Sequence, residues 1–164
     1  MNTNRLFTAL LCITYNAAPT NLPKLAIERV FIDTKSNKIH VLCKIINGSK
    51  PNRFYKPNNS TDFCYRLNYV NFKSVKTSKQ YNYLPCQALT DLNKIEITEK
   101  NSVNLDSNQS YRFEFVLSQR GFNDKIRPGS LYHVKVTISH NHICGGDTCS
   151  VFTGILSSER IAKL

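Results

Sequence analysis

Acidic residues are the scarce chemistry of this chain: 11 Asp and Glu stand against 22 Lys and Arg in 164 residues, a formal charge of +11. Beyond Gln119 only Asp124, Asp147 and Glu159 remain, which disfavours a glycosidase built on paired carboxylates. The Gly-x-Ser-x-Gly elbow of a serine hydrolase, a glycine-rich phosphate loop and a His-Glu-x-x-His helix are all missing, so no motif argues for an enzyme or a cofactor. Cys43 has His40 nearby, but by strand parity the two face opposite ways, out of the hydrogen-bond reach that a nucleophile and its base need. No apolar run approaches the roughly 20 residues of a membrane span. The six Gly and six Pro fall between apolar runs rather than in tracts, and no internal repeat is present. With 41% hydrophobic and 10% aromatic residues, the composition is that of one globular domain.

The N-terminus carries an address. Arg5 precedes the apolar run Leu6 to Ile13, and Asn16-Ala17-Ala18 follows, which is the order of a secretory leader over residues 1–18. The competing reading is a buried first strand, since Tyr15 or Asn16 falls where a small residue is preferred at the cut. An exported domain over 19–164 is therefore expected, secreted or periplasmic, in an oxidising compartment. Removal of the leader takes Cys12 and leaves five of the six cysteines. The expected pairs are Cys64 with Cys86, tying neighbouring strands, and Cys144 with Cys149, closing a short loop. Cys43, on the Ile39, Val41, Ile45 face, would be a buried thiol. Were the leader retained, Cys12 and Cys43 would become alternative partners.

Hydrophobic residues recur with period two. Ile39-x-Val41-x-Cys43-x-Ile45, Phe63-x-Tyr65-x-Leu67-x-Tyr69, Tyr111-x-Phe113-x-Phe115-x-Leu117 and Tyr132-x-Val134-x-Val136-x-Ile138 each predict a half-buried strand. Shorter runs at 25–32, 80–84, 94–97 and 150–156 bring the expected count to about eight strands. Residues 47–62, polar and holding Pro51 and Pro57, read as a surface insertion, and 157–164 as the one place for a short helix.

One segment narrows the architecture. Ile126-Arg127-Pro128-Gly129-Ser130-Leu131-Tyr132-His133-Val134-Lys135-Val136, preceded by Leu105 to Phe115, resembles the turn and penultimate strand of fibronectin type III and immunoglobulin-like domains. The resemblance covers about 30 residues and implies an all-β, disulfide-stabilised, immunoglobulin-like sandwich of antiparallel strands. In it the Tyr132 hydroxyl would bond back to upstream backbone, the tyrosine corner. The chain departs from the pattern in having no tryptophan for the core, and it is longer than a minimal module. Such folds host many functions, so the resemblance transfers no activity.

Charge is the functional clue. From Thr34 to Thr90 there are ten cations, Lys35, Lys38, Lys44, Lys50, Arg53, Lys56, Arg66, Lys73, Lys76 and Lys79, against one acid, Asp62. Residues 91–119 carry a net −2, so the molecule is electrically lopsided. Tyr55, Tyr81 and Tyr83 are interspersed, and cations mixed with rings suit an acidic glycan, the head groups of an anionic membrane surface or an acidic protein. Nucleic acid fits the same charge but not an exported protein. The expected function is a non-catalytic binding module. Its alternatives are an inhibitor or effector that inserts loops such as 47–62 and 120–126 into a protein partner, and a lipid carrier with a cavity between its sheets. A further alternative is a copper or zinc binder at His140-x-His142-x-Cys144, whose side chains share one strand face. A Cys144–Cys149 disulfide would remove those thiolates, and His133, on the opposite parity, reads as a surface residue.

Overall fold

A computed structural model of the chain describes residues 22–58, 61–86, 97–141 and 151–164. The leader expected over 1–18, residues 94–96 of an expected strand, and His142, Cys144 and Cys149 lie outside the described residues. The chain is all-β, with strands β1 (Lys24–Asp33), β2 (Lys38–Ile46), β3 (Asn52–Tyr55), β4 (Asn68–Ser74), β5 (Gln80–Asn82), β6 (Ser102–Leu105), β7 (Ser110–Ser118), β8 (Leu131–Ser139) and β9 (Ile155–Lys163). A single helical turn, α1 (Thr61–Cys64), and a 3-10 turn at Gln119–Gly121 interrupt them. Among the described residues the paired strands run antiparallel, in a three-stranded sheet β1-β2-β7, a four-stranded sheet β5-β4-β8-β9 and a two-stranded ribbon β3-β6. Nine strands thus stand among the described residues, where the sequence suggested about eight.

β2 and β8 follow the alternation of their sequences. Ile39, Val41, Cys43 and Ile45 are wholly buried, as are Val134 and Val136, with Tyr132 and Ile138 at 1% exposure. The β1–β2 hairpin closes where Asn37 adopts a left-handed backbone at φ 54°, while the Asp33 carboxylate accepts the Lys35 N–H and the Ser36 hydroxyl. A bulge between Ile27 and Arg29 turns β1 carbonyls outward. The Arg160 guanidinium donates to the carbonyls of Ile27 and Glu28, fastening β9 of one sheet to β1 of the other.

Three expectations are corrected. Phe63 to Tyr69 is not one strand: α1 and a left-handed Arg66, φ 56°, precede β4, which starts at Asn68. The Asp62 carbonyl accepts the Leu67 N–H and the Phe63 carbonyl accepts that of Arg66, so Phe63 and Leu67 enter the core from a turn. Residues 157–164 are not helical, because β9 pairs with β8 from Ile155 to Lys163, and that ladder overrides local preference. Residues 47–62 are not a free surface insertion. They contribute β3 with Phe54 fully buried, and the Asn47 amide donates to the carbonyls of Lys50, Leu105 and Asp106.

Buried apolar residues from both larger sheets form one cluster. In the absence of tryptophan its volume is filled by smaller rings in a continuous chain of contacts, Phe113–Phe115–Phe63–Tyr83–Phe122–Phe72–Tyr132–Tyr81, with centroids 4.9–6.1 Å apart. The expected disulfide between Cys64 and Cys86 is present, Cα to Cα 5.5 Å, and ties α1 to the chain leaving β5.

Candidate functional site

The site is built at the hairpin end of the four-stranded sheet. β4 and β5 are joined by a turn in which Ser78 is left-handed, φ 57°, with its N–H on the Ser74 carbonyl. The Val75 N–H reaches the Leu131 carbonyl at 3.0 Å and fixes this turn against the start of β8. On the other side, the Tyr132 hydroxyl accepts the Arg127 N–H at 2.9 Å, so the expected tyrosine corner is formed and holds the Arg127–Ser130 turn in place. Gly129 turns with φ 78°, a conformation suited to glycine, and its N–H meets the Leu164 carbonyl, while the Leu164 N–H donates to Ser130. That exchange draws Lys163 to the same end.

Between these elements lies an open cleft of about 750 Å³. Among the described residues its walls carry Lys76, Lys79, Lys125, Arg127 and Lys163, five cations against one carboxylate, Asp124. All five cations are solvent-exposed. Asp124 is already engaged by the Lys79 ammonium and by the Lys125 N–H at 2.6 Å. The Lys79 contact holds the Asp124 carboxyl below the usual carboxylate range and raises the Lys79 ammonium in turn. Both groups are about half exposed, so the pair adds little to stability, but it leaves the cleft with uncompensated positive charge. Lys79 also sits 5.6 Å from the centroid of the Tyr81 ring, which supports it from the core side. A smaller groove of about 320 Å³ runs along the same sheet past Lys73, His133 and Lys135.

The cations expected from sequence to form one surface do not. Lys76, Lys79 and the Tyr81 ring meet in the cleft, with Lys73 on the neighbouring groove. Lys35 and Lys38 lie at the β1–β2 hairpin of the other large sheet, and Lys44 is tied to Glu28 at 3.0 Å beside an Arg112–Glu28 contact at 2.9 Å. Lys50 precedes β3, Arg53 donates to Ser102, Lys56 donates to the Lys100 carbonyl, and Arg66 stands on the turn before β4. Parity places a lysine outside a strand but not on a particular sheet. The aromatic half of that expectation divides: Tyr55, Tyr81 and Tyr83 are buried at 6%, 7% and 8% exposure and serve the core, and of the three the Tyr81 ring also lines the cleft. Burial and the Asp62 carboxylate, which accepts the Tyr55 hydroxyl, drive that phenol's pKa up. Sequence reasoning missed Lys125, Arg127 and Lys163 because they lie outside the basic segment. The visible signal was Lys125-Ile126-Arg127, two exposed cations flanking a residue that is wholly buried.

No group of three or more His, Cys, Asp or Glu that could hold a metal is found among the described residues. His140 is fully buried, edge-on to the rings of Tyr55 and Phe152, and neither ring nitrogen has a partner among the described residues. Burial pushes its pKa down to about 4. The Cys43 thiol is buried and pushed up to about 12, an inert group. His40 faces away from it, stacked on Phe31 and bonded to Glu114 at 2.7 Å.

Comparison of the chain with protein-family models, with curated proteins and with solved structures gives no significant match.

Proposed function

We propose that the chain is an exported immunoglobulin-like sandwich that binds anionic groups, without catalysis, in the cleft between the β4–β5 turn and the Arg127–Ser130 turn. The sandwich reading is supported by strand order. β1-β2-β7 corresponds to strands A, B and E of that architecture and β5-β4-β8-β9 to C′, C, F and G, with Tyr132 at the expected corner. The Cys64–Cys86 disulfide suits an oxidising compartment.

The observation that carries the functional reading is the cleft's five cations around a single, already neutralised carboxylate. Such an arrangement raises the local concentration of anions and offers charge-assisted hydrogen bonds from several directions. The groups it suits are the sulfates or carboxylates of an acidic glycan, phosphate head groups or clustered acidic side chains. The loop-insertion reading has less support, because 47–62 is tied into the core by Phe54 and Asn47. Rings occupy the interior that a lipid carrier would keep open.

The test is titration of a heparin oligosaccharide and of inositol hexakisphosphate into the full chain at low and high salt. Affinity should fall about tenfold or more between 50 and 500 mM NaCl, because exposed charges are screened over a few ångströms at the higher salt. The triple variant Lys76→Glu, Lys125→Glu, Arg127→Glu should abolish binding, whereas Lys35→Glu with Lys38→Glu should leave it intact. Salt-independent binding, or equal loss in both variants, would overturn the assignment.

A further inference from the structure

We propose that the anionic partner is a membrane surface, onto which the chain docks by the hairpin end of its four-stranded sheet. The inference rests on the anion-cleft reading and adds a feature that the cations alone do not explain. Val75, Leu131 and Ile161 are exposed at 45%, 47% and 58% on this side of the four-stranded sheet. Val75 and Leu131 line the cleft and are joined by a backbone hydrogen bond. In the β8–β9 ladder Leu131 lies opposite Lys163 and His133 opposite Ile161, so Leu131 and Ile161 share the outward face of adjacent strands. Lys73, opposite His133 on β4, continues that face.

The result is branched aliphatic side chains interleaved with Lys73, Lys76, Lys125, Arg127 and Lys163. Among the described residues the acids nearby are both engaged, Asp124 by Lys79 and Glu159 by Lys135 at 3.0 Å. A soluble glycan or phosphate would satisfy the cations and leave these aliphatics in water. A bilayer of anionic phospholipid satisfies both: phosphates and carboxylates meet the lysines, and the three aliphatic tips enter the boundary between head groups and acyl chains. Each cation near such a surface adds its own increment of attraction, and exposed apolar area rimmed by polar groups marks an interaction surface.

The experiment is cosedimentation of the full chain with phosphatidylcholine vesicles with and without about one-third phosphatidylserine. Heparin oligosaccharide binding is measured in parallel. Wild type should bind only the anionic vesicles. The variant Ile161→Ser, changed at an exposed position that does not line the cleft, should lose about fivefold in vesicle partitioning, with heparin binding unchanged. Lys76→Glu with Arg127→Glu should lose both. Undiminished vesicle binding by the serine variant would overturn membrane docking. So would heparin binding without vesicle binding, which points to a soluble acidic glycan or protein and leaves the anion-cleft reading standing. Binding of neither ligand would overturn both.

Discussion

Acidification should loosen this fold through one imidazole. His140 follows β8 directly, is 0% exposed, and lies edge-on to Tyr55 and Phe152 at centroid distances of 6.5 and 5.7 Å, with its backbone N–H on the Gly154 carbonyl. Burial without a partner disfavours the charged ring, so the pKa falls from 6.5 to about 4. The unfolded chain therefore takes up a proton below pH 6.5 that the folded chain refuses until about pH 4. His140 stability is complete above pH 6.5, drains away as pH falls to 4, and changes no further below that. At 1.36 kcal/mol for each tenfold difference in proton affinity, the loss across this window is about 3 kcal/mol. Glu28, Asp33 and Asp124 also have lowered pKa values, held by Arg112, Ser36 and Lys79 first, but their contributions are lost lower, as pH drops below the ordinary 4.5 of Glu28 and 3.8 of the two aspartates. His140→Phe keeps a ring between Tyr55 and Phe152 and removes the titration. Urea unfolding of both proteins at intervals from pH 7.5 to 4 should give curves that diverge below 6.5, the wild type losing about 3 kcal/mol more than the variant. Parallel curves would refute the reasoning.

Tyr132→Phe should cost about 1–2 kcal/mol, read as a lower urea midpoint with unchanged m, because it strips the Arg127 N–H of its acceptor while keeping the ring. A midpoint equal to wild type would show that the corner bond contributes nothing net. Asp62→Ala should cost more, about 2–4 kcal/mol, since the buried carboxylate accepts the Tyr55 hydroxyl at 3.1 Å and the Asn58 N–H at 2.6 Å, and both donors would lose their partner. Asp62→Asn, which keeps one acceptor oxygen, should fall between, and an equal loss in both variants would remove the hydrogen bonds as the cause.

What could be read from the sequence was face; what could not was neighbourhood. β2 and β8 were legible because residues at every second position meet the core. Parity misled at Phe63 to Tyr69, where a turn with a left-handed Arg66 delivers Phe63 and Leu67 to the core at a spacing that also fits a strand. It was silent at 157–164, where the order Ser-Ser-Glu-Arg in the middle of β9 shows little apolar alternation and only the ladder to β8 makes it a strand. The tyrosines taken for a binding surface are core residues because a chain without tryptophan fills its interior with smaller rings. Composition reported that tryptophan was missing, but not which rings replaced it.

The candidate site illustrates the same division, and it connects the architectural signal to the functional one. Lys76 and Lys79 come from the β4–β5 turn, Lys125 and Arg127 from the segment before β8, and Lys163 from the end of β9, and no window of sequence contains them together. Two backbone devices gather them. The Tyr132 hydroxyl anchors Arg127, and the exchange of Gly129 and Ser130 with Leu164 pins the chain end that bears Lys163. Both belong to the Pro-Gly-x-x-Tyr segment that gave the resemblance to immunoglobulin-like domains. The motif that was read as fold information alone is therefore also what positions the cations. Loosening it should cost anion affinity as well as stability, whereas charge reversal at Lys76 should cost affinity alone.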